Sequence, residues 1–189
     1  MIRIGILGDI GSGKTYVAYN FGFPVFSADK VVAKLYQQNR EIYKKFKKFF
    51  PKHIHSFPLR KQEITEIILT KKNNLKKIVQ IVHPEVRREM DNFVKRNKNK
   101  KFIIMDIPLL LENKINKKKD ILVFINSKKK NILKRLKGRK NFNKKLLIKF
   151  KGLQLPLDYK KKKSNFIINN NFTKKSVKAS IKKILNELK

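Results

Sequence analysis

Eight residues constrain this 189-residue chain more than any others: Gly8, Asp9, Ile10, Gly11, Ser12, Gly13, Lys14 and Thr15. They follow the apolar run IRIGIL at 2–7, which suits a buried parallel strand, and precede YVAYNF, which suits a helix. Glycines at 8, 11 and 13 let the backbone bend so that several N–H groups converge on phosphate oxygens. The spacing Gly-x4-Gly-Lys-Thr is the Walker A pattern. It assigns phosphate contacts to Gly8, Ile10, Gly11, Ser12, Gly13 and Lys14, with Lys14 reaching the β- and γ-phosphates. The Thr15 hydroxyl is then placed on Mg²⁺. The pattern specifies a nucleoside triphosphate such as ATP and says nothing about the acceptor.

Short apolar runs recur at 24–27 (PVFS), 101–106 (KFIIMD), 120–125 (DILVFI) and 165–169 (NFIIN), alternating with helical periodicity. This alternation predicts an α/β fold with a mainly parallel sheet flanked by helices, of the P-loop NTPase type. Residues 30–100 read as an inserted helical subdomain, interrupted by an irregular loop at 51–59. Residues 128–153 read as helical and strongly basic, so that Arg135 and Arg139, four apart, share one face if the helix is continuous. From Thr173 the tail reads as an amphipathic helix with Val177, Ile181, Ile184, Leu185 and Leu188 on one face. The expected division is an α/β core of 1–29, 101–127 and 154–189, a helical insertion of 30–100, and a small basic helical segment of 128–153.

Two carboxylates fall at strand ends, where α/β sheets bind ligands. Asp29 follows the second strand and could accept an acceptor proton, hold a metal, or cap a helix starting near Lys30. Asp106 ends four apolar residues, the Walker B form, and could hold Mg²⁺ directly or through water; a helix start or a solvent-facing strand end explains it equally well. His83-Pro84 suits the first turn of a helix. His53 and His55 have no third ligand at sensible spacing, and no metal is assigned to the histidines.

The formal net charge is +36, from 49 Lys plus Arg against 13 Asp plus Glu. Only eight of the basic residues are Arg. Lys, Asn, Ile and Phe together make up about half of the chain, and all four have codons built largely from A and T. Compositional bias therefore accounts for most of the charge, which predicts weak, salt-sensitive RNA attraction and no specific nucleic-acid partner. The few Arg become informative, because Lys cannot reproduce their bidentate fork. Zero Cys excludes disulfides and thiolate sites. No apolar run approaches the roughly 18 residues of a membrane span, and the N-terminus lacks a signal-peptide pattern. A cytoplasmic location is expected, with no membrane partner; the sequence leaves the oligomeric state open.

Several segments, in order, resemble the dephospho-CoA kinase family: IGILGDIGSGKT, FSADKVVAKL at 26–35, PLRKQEI at 58–64, VHPEVR at 82–87, DIPLLLEN at 106–113, RLKGR at 135–139, Gln154 and FIINN at 166–170. The resemblance implies transfer of the ATP γ-phosphoryl group, with Mg²⁺, to the ribose 3′-hydroxyl of dephospho-CoA. It implies catalytic roles for Lys14, Asp29 as base or hydroxyl-orienting group, and Arg139. Arg135 and Asn169 would bind the nucleotide, Asn169 near the adenine; Asp29, Arg60, His83, Pro108 and Glu112 would bind the acceptor; Thr15 and Asp106 would hold the metal. VHPEVR matches the family's helix start. The chain departs from the family pattern at Asp9, a usual Gly, and at Ser27, where an aspartate is common. It departs also at Lys34, a usual Arg, and at Ser164-Asn165, where Ala-Asp is familiar. Asp9 places a carboxylate near anionic phosphates and predicts weakened ATP binding. Another small-molecule P-loop kinase, acting on a nucleoside, a nucleotide or a shikimate-like hydroxyl, is the alternative.

Overall fold

A computed structural model of the chain describes residues 1–140 and 142–188. In chain order the first elements are β1 (Ile2–Gly8), α1 (Lys14–Asn20), β2 (Val25–Ser27), α2 (Ala28–Gln38), α3 (Arg40–Phe49), α4 (Lys61–Thr70) and α5 (Asn74–Arg96). They are followed by β3 (Phe102–Asp106), β4 (Ile121–Asn126), α6 (Lys129–Lys137), α7 (Lys144–Lys151), α8 (Leu157–Lys162), β5 (Phe166–Asn169) and α9 (Lys174–Glu187). Two compact units form. One comprises Met1–Ser27, Asn97–Asn143 and Phe150–Lys189, the other Ala28–Arg96 with Lys144–Lys149.

The first unit is built on a five-stranded, all-parallel sheet in the order β2-β3-β1-β4-β5. Its strands are apolar on both faces because helices cover both. Ile4, Ile6, Ile104, Val123, Ile125 and Ile168 from the sheet pack with Val17, Ala18 and Phe21 of the α1 region and Val177, Ile181 and Ile184 of α9. The amphipathic tail read from the sequence thus closes the core. Parallel pairing brings all strand C-termini to one edge: Gly8 pairs with Ile125, Ser27 with Asp106, and Asn126 with Asn169. β1 is the central strand, and the chain order reverses beside it, which is where open α/β sheets take ligands.

The second unit is helical. α2, α3 and α4 pack on α5, which buries Ile78, Ile81 and Val82. Phe46, fully buried on α3, stands edge-on to Tyr36 and tilted against Phe50. His83-Pro84 does not begin a helix: Pro84 lies inside α5. A mid-helix proline removes a backbone bond at a penalty of about 3 kcal/mol, and burial of the preceding apolar face carries the helix across it. The helix after Ser27 begins at Ala28 rather than near Lys30, so Asp29 sits within its first turn.

The basic stretch 128–153 is also not one helix. α6 stops at Lys137, Gly138 caps it by donating its N–H to the Lys134 carbonyl at 3.2 Å, and α7 starts only at Lys144. Glycine and asparagine in this connection are poor helix formers. Arg135 is therefore helical and Arg139 is not, which overturns the expectation that they share a face.

Among the described residues, two ion pairs of the α/β unit are buried. Arg3 meets Asp120 at 3.1 Å and donates to the Ile115 carbonyl at 3.2 Å; burial nevertheless raises the Asp120 pKa above its usual value, against the lowering effect of the Lys117 N–H and Arg3. Lys160, in α8, is only 1% exposed and meets Glu112 at 2.6 Å. Glu112 also accepts the Leu155 N–H at 3.0 Å, so one carboxylate ties the turn after β3 to the segment entering α8. Removing one partner of a buried pair strands the other charge, which costs about 3–5 kcal/mol. Lys160→Ala should lower the unfolding free energy in urea by that order, and Lys160→Met combined with Glu112→Leu should recover most of it. An unchanged urea midpoint for Lys160→Ala would show that the pair is not a structural tie.

Candidate phosphate-binding site

The glycine-rich loop joins the end of β1 to the start of α1. Gly8 adopts φ +143°, and a Cβ there would stand 2.8 Å from both the Ile125 carbonyl and the Ser12 hydroxyl oxygen. Gly13 has φ +95°, and its Cβ would stand 2.5 Å from the Asn170 amide nitrogen. No side chain other than hydrogen fits at either position. Gly13 is the N-cap of α1 and supplies no side-chain cap, and the first turn holds no acidic residue. Its leading N–H groups are thus directed at the loop, where an anion suits them. Lys14 folds over the loop and donates to the Gly8 and Asp9 carbonyls at 3.1 and 2.8 Å.

On one side of the loop the Thr15 hydroxyl donates to Asp106 at 2.7 Å. Asp106 is 3% exposed at the tip of β3. The sequence assigned both residues to a metal, and the fold brings them together. One hydroxyl and one carboxylate oxygen are hard donors of the kind Mg²⁺ takes, with the rest of its shell supplied by water and phosphate. No cluster of three His, Cys, Asp or Glu able to hold a metal occurs among the described residues.

On the other side the loop is pinned to the tips of β4 and β5. The Ser12 carbonyl accepts from the Ser127 hydroxyl at 3.0 Å and from the Asn170 amide at 2.8 Å. Asn170 is buried, and its own N–H bonds the Asn126 carbonyl at 2.8 Å. Asn169, the residue singled out by sequence, is exposed and accepts from the Asn126 amide at 2.8 Å. Sequence reasoning missed Asn170 and Ser127. The signal was the alternation of a strand, which puts adjacent asparagines on opposite faces.

Pro108 and Glu112 lie in the turn after β3, with Glu112 held as described above. Arg135, near the end of α6, lays its guanidinium 4.4 Å from the centre of the Phe172 ring. Arg139 is exposed in the turn beyond α6, its N–H bonded to the Leu136 carbonyl at 3.2 Å. The remaining assigned residues belong to the helical unit. Asp29 is exposed in the first turn of α2, two residues past Ser27. Arg60 is the N-cap of α4; its N–H donates to Glu63 at 3.0 Å, while its side chain is exposed. His83 is half-buried on α5, and burial first, then the nearby Arg87 charge, holds its pKa below the ordinary value, which favours the neutral imidazole.

A parallel sheet whose central strand feeds this loop, with Thr15 bonded to an aspartate on the neighbouring strand, defines a P-loop nucleotide-binding fold. The family profile of dephospho-CoA kinase matches residues 2–176. The chain belongs to the dephospho-CoA kinase family. It is 32% identical over 190 residues to a dephospho-CoA kinase from Wolbachia sp. subsp. Brugia malayi, covering 98% of this chain and 97% of that protein. A crystal structure from Thermus thermophilus superposes with a TM-score of 0.80 at 26% identity, covering 100% of this chain and 98% of the other. Dephospho-CoA kinase from Campylobacter jejuni shares the fold at TM-score 0.65 and 21% identity, over 98% of this chain and 96% of that one.

Asp9 is the loop residue most at odds with an anionic ligand. Its carboxylate accepts the Ile10 N–H at 2.7 Å, taking a donor the loop would otherwise offer to phosphate. Its other oxygen lies 4.0 Å from Lys151, on the wall of a cavity of about 250 Å³ at the end of β4. Lys151 offsets the charge and does not free the N–H. Asp9→Gly should therefore tighten ATP binding about fivefold, equivalent to about 1 kcal/mol, and Asp9→Asn should fall between it and the wild type. Calorimetric titration at fixed ionic strength checks this; weaker binding by Asp9→Gly would mean that the carboxylate shapes the loop.

Proposed function

We propose that this chain transfers the γ-phosphoryl group of ATP to the ribose 3′-hydroxyl of dephospho-CoA, giving coenzyme A and ADP. The observation that carries the reading is the family match over residues 2–176, and it is supported by a phosphate loop with no room for a Cβ at Gly8 or Gly13 and with Thr15 bonded to Asp106. The loop N–H groups and Lys14 hold the phosphates and draw off charge as it spreads over the equatorial oxygens. Thr15 and Asp106 would hold Mg²⁺, which when bound neutralises the β- and γ-phosphate oxygens. The acceptor oxygen forms the new bond to phosphorus as the bond to the β-phosphate oxygen breaks, and ADP leaves with that electron pair.

Asp29 takes the acceptor proton or orients the hydroxyl. Arg139 reaches the transferring phosphate with its planar fork, which an ammonium cannot imitate. Its exposed place in the turn beyond Gly138 leaves its side chain accessible to a bound ligand. Arg60, His83, Pro108 and Glu112 serve the acceptor; a neutral His83 can accept a hydrogen bond as well as donate one. Residues 128–153 act as the lid and 30–100 as the acceptor-binding insertion.

The test is ADP release with ATP and Mg²⁺ in the presence of dephospho-CoA, shikimate or deoxyadenosine separately. The reading predicts turnover with dephospho-CoA alone, and turnover with either of the others in its place contradicts it. Asp29→Asn should lose about 10²–10⁴-fold in kcat, the usual worth of a positioned general base, with ATP affinity little changed. Loss of ATP binding with turnover per bound ATP retained would make Asp29 a nucleotide or metal ligand instead.

A further inference from the structure

Glu63, in the first turn of α4, is a buried acid, only 7% exposed. One of its carboxylate oxygens accepts the Arg60 N–H at 3.0 Å, and the other accepts the His55 N–H at 3.1 Å. These donors stand at the two ends of the segment 55–60, so one side chain clasps both. Within the segment, buried Leu59 donates its N–H to the Tyr36 carbonyl of α2 at 3.0 Å. Phe57 meets the Tyr43 ring edge-on, 5.6 Å between centres, and lies under the Arg40 guanidinium at 5.4 Å.

The leading N–H groups of a helix need partners, and an acid three positions into the helix commonly serves the N-cap N–H. Starting α4 would require only that one bond. Glu63 does more, because its second oxygen reaches back eight positions to His55. A carboxylate is buried favourably only when its oxygens are bonded, and here two backbone donors meet that need. The second bond fixes the segment that delivers Arg60. Arg60 is held at φ −88°, ψ 140°, between buried Leu59 and the helix start, while its side chain is exposed. A long side chain loses rotamer freedom when it grips a ligand, and a fixed backbone beneath it limits how much more must be ordered.

We propose that Glu63 is a positioning residue for the acceptor: it does not touch dephospho-CoA, and it acts by holding the backbone from which Arg60 reaches it. This inference rests on the acceptor role of Arg60 given above. It adds a buried residue to which neither the sequence patterns nor the family resemblance assigned a role.

The experiment is a double-mutant cycle in steady-state kinetics. The wild type, Glu63→Gln, Arg60→Ala and the double variant are compared in kcat and in the KM for dephospho-CoA and for ATP. Glutamine keeps the volume and one acceptor but turns an N–H₂ group toward the other backbone donor. Arg60→Ala should raise the KM for dephospho-CoA at least about tenfold, the worth of a charged hydrogen bond. Glu63→Gln should raise it at least about threefold, with kcat and the KM for ATP changing far less. In the Arg60→Ala background Glu63→Gln should raise it no further, because the side chain it positions is gone. An acid that only supports the fold would act equally in both backgrounds, and that additive result would overturn the proposal. A wild-type KM for dephospho-CoA in Glu63→Gln would overturn it too. Glu63→Asp, which withdraws the carboxylate by one methylene, replaces Glu63→Gln with the same expectations if the latter does not fold. A wild-type KM in Arg60→Ala would overturn the role of Arg60 and the proposal together. A wild type that does not phosphorylate dephospho-CoA would overturn the reading beneath both.

Discussion

The doubly held carbonyl of Ser12 is the interaction on which the site depends. Ser127 and Asn170 donate to one oxygen from the tips of β4 and β5, while Thr15 bonds Asp106 at the tip of β3. Three strand ends are thus fastened to the single turn of backbone that follows β1. A loop of glycines is entropically loose by itself; pinned in this way, it presents its N–H groups in one geometry before a ligand arrives. Pre-organisation of this kind lets hydrogen-bond donors act on developing charge without reorganising.

The high positive charge has little part in that arrangement. Most lysines are on the surface, where single ammoniums contribute little to stability. The cations that shape the fold are few and specific: Arg3 on the central strand with Asp120, and Lys160 buried against Glu112. Both act by tying loops to the α/β unit. Arg135 uses its flat guanidinium on an aromatic ring. In a chain where Lys outnumbers Arg about fivefold, a surviving arginine marks a position where shape matters as well as charge.

Much of this was legible in advance. The five strands, the phosphate loop, the Thr15–Asp106 side and the core face of the last helix follow from local pattern, since a buried parallel strand is a short apolar run and a phosphate loop must contain its glycines. What was illegible depends on distant partners or on competition between local and tertiary preferences. Pro84 reads locally as a helix start, and the burial of Ile78, Ile81 and Val82 overrides it. The basic run 128–153 has helical periodicity throughout, yet Gly138, a poor helix former, ends α6 within it. Lys160 looks like one more surface lysine in KKKK until Glu112, 48 positions away in sequence, is brought beside it. Asn170 is visible only once strand alternation is fixed.

The central claim is that a phosphoryl group reaches one particular hydroxyl. Phosphorus NMR of the products formed from ATP and dephospho-CoA tests it most directly. The account predicts a new phosphomonoester on the ribose 3′ carbon, appearing one for one with ADP. ADP formed without that ester, or an ester at another hydroxyl, would contradict it.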